Sequence, residues 1–333
     1  MTKYNVIEKI LGDRSYPRQN SGQAFAPSNI ALCKYWGKRN AELNLPINSS
    51  LSISLAHLGT HTTIRMAEGM DSISLNGMPL TLNSRFSHRL IEYLNLFRPE
   101  RDFYFDVKTD NNFPTAAGLA SSASGYAAAA RALNNFFGWE LEDNLLSILA
   151  RLGSGSASRS IYHGFVEWEA GFHVDGMDSY AHVLPHRWPD LNLAVLTLSI
   201  GSKPVGSTEG MKRTVETSVL YKSWPEKAQR DLDQLRLAIE QKDFELLGET
   251  SESNALAMHA TMIDTRPSVL YWLPETVAAF HQIWKMRSEG VKLYFTIDAG
   301  PNVKILFLRN DLDIVRAVFP QCEIITPFDF SVS

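Results

Sequence analysis

Phe113-Pro114-Thr115-Ala116-Ala117-Gly118-Leu119-Ala120-Ser121-Ser122-Ala123-Ser124-Gly125 runs from a proline-bearing loop straight into an Ala-rich helix, expected over 121–136. Nearly every side chain in it is small. Small side chains let backbone N–H groups approach an anion, and a helix start adds unpaired donors and the positive end of the helix dipole. The hydroxyls of Ser121 and Ser122 add donors for phosphate, or a ligand for the metal of a nucleotide. The same composition also suits a tightly packed helix start with no ligand, and the segment alone does not separate the two readings. It is no Walker A loop, because no Gly-Lys-Ser/Thr closes it, and its glycines lack the dinucleotide-binding spacing.

Upstream of this loop the pattern is strand-rich. Residues 1 to about 22 are polar and read as an irregular extension. Strands are expected over 23–30, over 49–55 with its alternation of Leu51, Ile53 and Leu55 against serines, and over 60–66, 72–75 and 103–108. Asn76-Gly77 is a hairpin turn. Residues 84–97 place Phe86, Leu90, Tyr93, Leu94 and Phe97 on one helical face. Downstream, a helix over 141–152 leads into the small-residue loop 153–158. Near residue 188 the pattern changes. A strand over 191–200 and a polar loop over 201–211 precede helices over 226–241, 244–260 and 274–289. Strands over 291–297 and 303–308 flank the loop Asp298-Ala299-Gly300-Pro301-Asn302, and a last helix covers 311–319. Strands and helices mix without regular βαβ spacing, so the class is α+β. The expected division is an extension over 1–22, a phosphate-loop domain over 23–187 and a second domain over 188–333, the two sharing one cleft.

Composition narrows the function. The 333 residues are 44% hydrophobic with a formal charge of −4, which suits a globular chain and gives no general basic field for nucleic acid or anionic lipid. Cys33 and Cys322 form no Cys-x-x-Cys pair, so neither a disulfide framework nor a structural zinc site is expected. No run of roughly 18 apolar residues exists to span a membrane, and the first residues lack an apolar signal core. A cytoplasmic protein is the expectation.

Three further segments carry chemistry. Ala26 to Arg39 gathers Lys34, Lys38 and Arg39 beside the Tyr35 hydroxyl, which suits a phosphate ester as well as a solvated basic turn. Gly153 to Ser160 pairs exposed backbone donors with one arginine, Arg159, whose planar fork matches a carboxylate; glycine caps at a helix end explain the same residues without a ligand. Asp298 follows an apolar strand, where a partly desolvated carboxylate can act on a hydroxyl. It also suits a turn-capping role. The nine histidines do not cluster, and His259 reads as a helix or packing residue.

In their order, these segments resemble the diphosphomevalonate decarboxylase family of the GHMP kinase superfamily. The likeness is carried by Pro27-Ser28-Asn29-Ile30-Ala31, Lys34-Tyr35-Trp36-Gly37-Lys38-Arg39 and Leu45-Pro46-Ile47-Asn48-Ser49-Ser50. It continues in the phosphate loop, Ser154-Gly155-Ser156-Ala157-Ser158-Arg159-Ser160, Gly206-Ser207-Thr208-Glu209-Gly210-Met211, Ala257-Met258-His259-Ala260-Thr261 and Asp298 to Asn302. It spans about residues 23–308.

The resemblance implies a GHMP kinase fold, with an N-terminal part like ribosomal protein S5 domain 2 and a ferredoxin-like C-terminal part. It implies ATP with Mg²⁺, a phosphorylated mevalonate as substrate, and a homodimer. By residue, it implies that Asp298 faces the tertiary hydroxyl and that Arg159, helped by Asn29, holds the carboxylate. Tyr35, Trp36, Gly37, Lys38, the loop Ser154, Gly155, Ser156, Ala157 and Ser158, and Ser207 and Thr208 would contact substrate. Gly118, Ala120, Ser121, Ser122 and Ser124 would contact nucleotide phosphate, with Ser122 on Mg²⁺. One departure stands out. Where the family often shows Asp-Arg-x-Trp-Leu-Asn-Gly, this chain has Asp71-Ser72-Ile73-Ser74-Leu75-Asn76-Gly77. The choice between a diphosphate and a monophosphate substrate stays open at this point, with Arg65 or Arg85 as substitutes for the missing arginine. A mevalonate-type 3-kinase and a catalytically silent binding protein of the same fold are the alternatives; the presence of Asp298 counts against the first, and that of Asp298 and Arg159 against the second.

Overall fold

The computed structural model describes residues 1–12, 16–113, 121–200 and 205–328. The chain opens with a helix, α1 (Lys3–Leu11), where an irregular stretch was expected. Thr2 and Asn5 form a capping box, and Val6 and Ile7 are buried. The strands β1 (Ser21–Cys33), β2 (Lys38–Asn40), β3 (Leu45–Pro46), β4 (Ser50–Ala67), β5 (Ser72–Leu75) and β6 (Met78–Pro79) follow. Next come α2 (Arg85–Leu94), β7 (Tyr104–Asn111), α3 (Ser121–Phe137), α4 (Asp143–Gly153), β8 (Phe165–Trp168) and β9 (Ala181–Val183).

One seven-stranded sheet runs β6-β5-β7-β4-β8-β9, with β1 antiparallel to β4. The alternation read as two strands belongs to the single strand β4. It is interrupted where Ala56 takes a φ of 50°, and the β1 pairing jumps there from Pro27↔Gly59 to Asn29↔Ser54. The kink lets the two halves of β4 serve different neighbours: Thr60 to Ala67 pair with β7, and Ser50 to Ile53 pair with β8. The alanines of α3 are buried on the sheet side, so the helix lies close over β1 and β4.

The second half begins with β10 (Leu191–Leu196). Then come α5 (Ser207–Thr217), α6 (Trp224–Gln241), α7 (Phe244–Ile263), α8 (Pro274–Ser288), β11 (Tyr294–Ile297), β12 (Val303–Leu308), α9 (Leu312–Val318) and β13 (Glu323–Ile325). Its four strands form an antiparallel sheet in the order β11-β12-β10-β13. Part of the expected polar loop over 201–211 is helix, because Gly206 and Ser207 open α5 with Glu209 in its first turn. No helix among the described residues is long and apolar enough to cross a membrane.

A shared core joins the halves. Ile30, Leu32 and Trp36 pack in one buried cluster with Leu193, Trp224 and Leu232; each such aliphatic side chain contributes about 1.5–3 kcal/mol when fully buried. Polar contacts fix the segment between. The Trp36 carbonyl accepts from the Tyr221 hydroxyl (3.1 Å) and from Trp224 Nε1 (3.0 Å), and the Lys34 amide donates to Asn254 Oδ1 (2.8 Å). The Lys34 to Lys38 segment is thus held from both sides.

Candidate active site

Asp298 stands where β11 ends and the loop to β12 begins. Lys34 Nζ meets its Oδ1 at 2.8 Å and Lys304 Nζ meets its Oδ2 at 3.3 Å. Both lysine side chains are 2% exposed, against 29% for Asp298, so the carboxylate is the open side of a buried ion triad. Burial by itself would raise the Asp298 pKa; the two lysines outweigh it and hold the group well below the usual carboxylate range. Burial also lowers Lys34, to about 8, against the raising effect of Asp298. Lys34 Nζ further donates to the Ala31 carbonyl (2.8 Å). The triad carries one net positive charge. Lys304 escaped the sequence reading, although a cation inside the apolar run Val303-Lys304-Ile305-Leu306 was a usable signal.

Arg159 lies in a tight helical turn, Gly155–Ile161, between α4 and β8, where a loop was expected. It is buried, and its Nη1 donates to Ser50 Oγ (2.5 Å) and its Nη2 to Asn29 Oδ1 (3.4 Å). The guanidinium sits 5.9 Å from the Trp168 ring centroid. Asn29 is itself oriented by donating to Ser160 Oγ (2.7 Å) and the Ser156 carbonyl (3.4 Å). Burial lowers Arg159 to about 10 and Asp298 counteracts it, so the side chain stays charged near neutrality. Arg159 Nε, the Tyr35 hydroxyl, the Ser158 hydroxyl and Trp36 Nε1 are all buried without a hydrogen-bond partner in the protein. An unsatisfied buried polar group costs about 1–3 kcal/mol; three of them, on Ser158, Arg159 and the Tyr35 that packs on Gly155, mark a place prepared for a polar ligand. Two glycines make the close packing there. A Cβ on Gly155 would lie 2.9 Å from the Tyr35 ring, and Gly37, at φ 101°, would put one 1.7 Å from the Tyr221 hydroxyl.

Lys38, on β2, donates to Asn44 Oδ1 (2.6 Å). Burial first, then the nearby charges of Lys3 and Arg89, lower it to about 8. Beyond it opens a cavity of about 550 Å³ between α2, the sheet and the start of α3. Phe86, Leu90 and Val107 give it an apolar wall, while Ser121, Ser122, Arg85 and Arg89 give it donors and charge. That mixture suits a flat apolar ring joined to phosphates. Ser124 does not line it. Its buried hydroxyl is engaged with Thr60 Oγ1 (2.7 Å) and Ser28 Oγ (3.2 Å). Gly118 and Ala120 lie outside the described residues.

Ser154 and Ser156 share a long contact (3.5 Å) between their hydroxyls, and Ala157 is buried. Ser207 and Thr208 open α5 next to Gly206, whose Cβ position lies 3.6 Å from Arg85 Nη2. Arg85 therefore borders both the cavity and the α5 start. Arg65 pairs across the sheet with Asp106 and is exposed, and the Ser72 hydroxyl bonds the same Asp106.

Comparison with known proteins identifies relatives of both halves of the chain. Residues 26–181 match the family described as diphosphomevalonate decarboxylase-like N-terminal domain, and residues 193–328 match the mevalonate 5-diphosphate decarboxylase C-terminal domain. The diphosphomevalonate decarboxylase of Bos taurus is 40% identical over 317 residues, covering 88% of this chain and 78% of that protein. A solved structure of MDDEF in complex with MVAPP, AMPPCP and magnesium superposes with a TM-score of 0.87 at 41% identity, covering 92% of this chain and 97% of that one. The mevalonate diphosphate decarboxylase of Staphylococcus aureus gives 0.86 at 39%, covering 92% and 95%.

Proposed function

The chain belongs to the diphosphomevalonate decarboxylase family, and on that premise we propose that it converts mevalonate 5-diphosphate and ATP to isopentenyl diphosphate, ADP, phosphate and CO₂. The observation that carries this reading is the Lys34–Asp298–Lys304 triad, with the buried Arg159 within electrostatic reach of Asp298. An anionic substrate meets net positive charge there, and one carboxylate is left to address a hydroxyl.

The chemistry follows from that charge pattern. The tertiary alcohol of the substrate is a poor leaving group, and phosphorylation by ATP makes it a good one. Asp298, kept ionised by its lysines, accepts a hydrogen bond from the hydroxyl and orients its oxygen toward the γ-phosphorus. A carboxylate so strongly paired is a weak base. Proton transfer to it belongs late in the step, once the attacking oxygen has bonded to phosphorus and turned acidic, as a loose phosphoryl-transfer transition state allows. Positioning and charge neutralisation carry the rest. In the second step the C–O bond breaks, phosphate departs with its electron pair, and positive charge develops at the tertiary carbon. The C–C bond to the carboxylate then supplies the pair for the new double bond, and CO₂ leaves. Arg159 holds the carboxylate in line through its fork, with Asn29 fixing the fork. Lys34 and Lys304 stabilise the departing phosphate.

The cavity at the start of α3 is the nucleotide site in this reading. Its lining offers hydroxyls and cations but no carboxylate among the described residues, so Ser122 would be the protein's own ligand to a magnesium ion brought in with the nucleotide. Such an ion neutralises charge on the transferred phosphoryl group. The similar structure solved with AMPPCP and magnesium supports this use. Tyr35, Lys38, Ser154, Ser156, Ser207 and Thr208 are assigned to the substrate. The homodimer implied by the resemblance belongs to the same proposal and is checked by sedimentation.

The test is incubation with Mg²⁺-ATP and either mevalonate 5-diphosphate or 5-phosphate, following ADP and CO₂ together. One CO₂ per ADP with the diphosphate is the expected result. ADP without CO₂ would identify a 3-kinase, and a preference for the monophosphate would reassign the substrate. Neither product would leave a binding protein.

A further inference from the structure

α1 lies outside the stretch that matches the family, and its placement is not idle. Val6 and Ile7 share a buried cluster with Leu43 and Leu45, which flank Asn44, and the helix contacts α4. Lys9 locks its other end through an ion pair with Asp175 (2.7 Å). This docking brings Lys3, in the first turn and half-buried, into the neighbourhood of Lys38 on β2 and Arg89 on α2.

The position of that trio has a meaning. The partner of Lys38, Asn44, donates in turn to the carbonyls of Arg151 (2.9 Å) and Leu152 (3.3 Å), at the end of α4 and just before Ser154. Arg89 lines the cavity together with Ser122 and Tyr126. Lys38 is thus tied to the residues just before the substrate loop and Arg89 to the cavity, with Lys3 in electrostatic reach of both. Burial lowers the proton affinity of Lys3 and Lys38, and Arg89 lowers both further. Glu42 and Glu92 act on Lys3 as well and each outweighs Arg89 there, so the repulsion left for a ligand to relieve falls on Lys38, which both Lys3 and Arg89 oppose. Half-buried like charges repel, and an arriving polyanion relieves that repulsion.

We propose that Lys3 is a further substrate-binding residue, brought by α1 to the terminal phosphate of the 5-diphosphate beside Lys38 and Arg89. The proposal rests on the decarboxylase reading, so the wild-type protein is first shown to release ADP and CO₂ from mevalonate 5-diphosphate; failure at that stage counts against the reading, not against Lys3. The full chain is then compared with Lys3→Gln and Lys3→Arg by calorimetric titration with mevalonate 5-diphosphate, by steady-state kinetics and by melting temperature. Lys3→Gln is expected to weaken diphosphate binding about tenfold or more, the worth of one charge-assisted hydrogen bond. The kcat, the KM for ATP and the melting temperature should hold, and Lys3→Arg should restore affinity. With mevalonate 5-phosphate as the probe the loss should shrink, because the terminal phosphate is missing. Unchanged affinity would overturn the proposal and leave Lys3 a partner of Glu42 and Glu92. So would an equal loss for both probes, a raised KM for ATP in place of the substrate effect, or a loss that follows a lowered melting temperature and resists rescue by arginine.

Discussion

His259 on α7 donates through Nε2 to the main-chain carbonyl of Asp298 at 3.1 Å. A carbonyl only accepts, so the ring carries its proton on Nε2. Burial, the largest influence, drives its pKa down to about 3, so the ring is neutral. Tyr271 meets the ring at a T-shaped angle and Trp272 lies tilted beside it. The loop is thereby gripped by its backbone, and the Asp298 carboxylate is left to the lysines and the substrate.

Acid should expose this grip. Between the ordinary histidine value of about 6.5 and about 3, the unfolded chain binds a proton at residue 259 that the folded chain refuses. Stability must therefore fall as pH drops through that window. His259→Gln removes the titration, and its unfolding free energy, measured with denaturant across pH 7 to 4, should decline less steeply than that of wild type. Parallel curves would deny the assignment.

Asp298→Asn should lower turnover by a factor on the order of 10³ or more, as for the loss of a positioned carboxylate in a closed site. The triad adds a second effect. Two buried lysines lose their shared partner, and a stability loss on the order of 3–5 kcal/mol should accompany the variant. Calorimetry and single-turnover assays separate the two effects; near-normal turnover would exclude Asp298 from the chemistry.

Arg159→Lys keeps the charge but loses the fork. A charge-assisted pair in a dry site is worth roughly 2–5 kcal/mol, so kcat/KM for the substrate should fall by about 10²-fold or more. ATP affinity should hold, because Arg159 is not part of the cavity lining. Turnover per folded molecule equal to wild type would make Arg159 a scaffold residue only.

Alkali should silence the enzyme. Lys34 and Lys38 both lose their protons near 8 in the free protein. Their charge is present below that value and disappears above it, so kcat/KM should fall above about pH 8, with a slope between one and two protons. Bound substrate is anionic and favours the charged lysines, so the limb seen in kcat should lie at higher pH. A kcat/KM flat to pH 9 would contradict the site's electrostatics.

A Cβ at Gly125 would meet nothing within 4 Å, and the residue lines the cavity from within α3. Gly125→Leu should raise the KM for ATP at least tenfold by filling that space. Stability should stay or rise, since glycine costs a helix about 0.8–1.0 kcal/mol. Binding of mevalonate 5-diphosphate alone, followed by calorimetry, should persist.

The helices were legible because Phe86, Leu90 and Leu94, or Leu232, Leu235 and Ile239, recur at helical spacing over long stretches. β8 was not, since Phe165 to Trp168 are all buried and show no alternation. α1 is short, and its Thr2–Asn5 cap is easily lost among polar neighbours. Within the site, Asp298 and Arg159 were singled out because each sits beside small residues or at a strand end. The residues that act on them were harder to see. Lys34 lies 264 residues from Asp298, and Lys304, though close in sequence, reaches back to it from the next strand. Only tertiary folding brings such groups together. Ser124 shows the same limit: its motif belongs to a phosphate loop, while its hydroxyl bonds Thr60 and Ser28, partners that sequence spacing does not reveal.

The two bonds that the Trp36 carbonyl accepts from Tyr221 and Trp224 carry a mechanical consequence. The segment bearing Tyr35 and Lys38 follows directly from β1 of the first sheet, yet it is bolted to the helical layer of the second half, with an apolar core closed around it. Parting the halves like a clamshell would strip those bonds and wet that core. The seam is therefore stiff where Trp36 crosses it, and substrates meet a frame that is already assembled there.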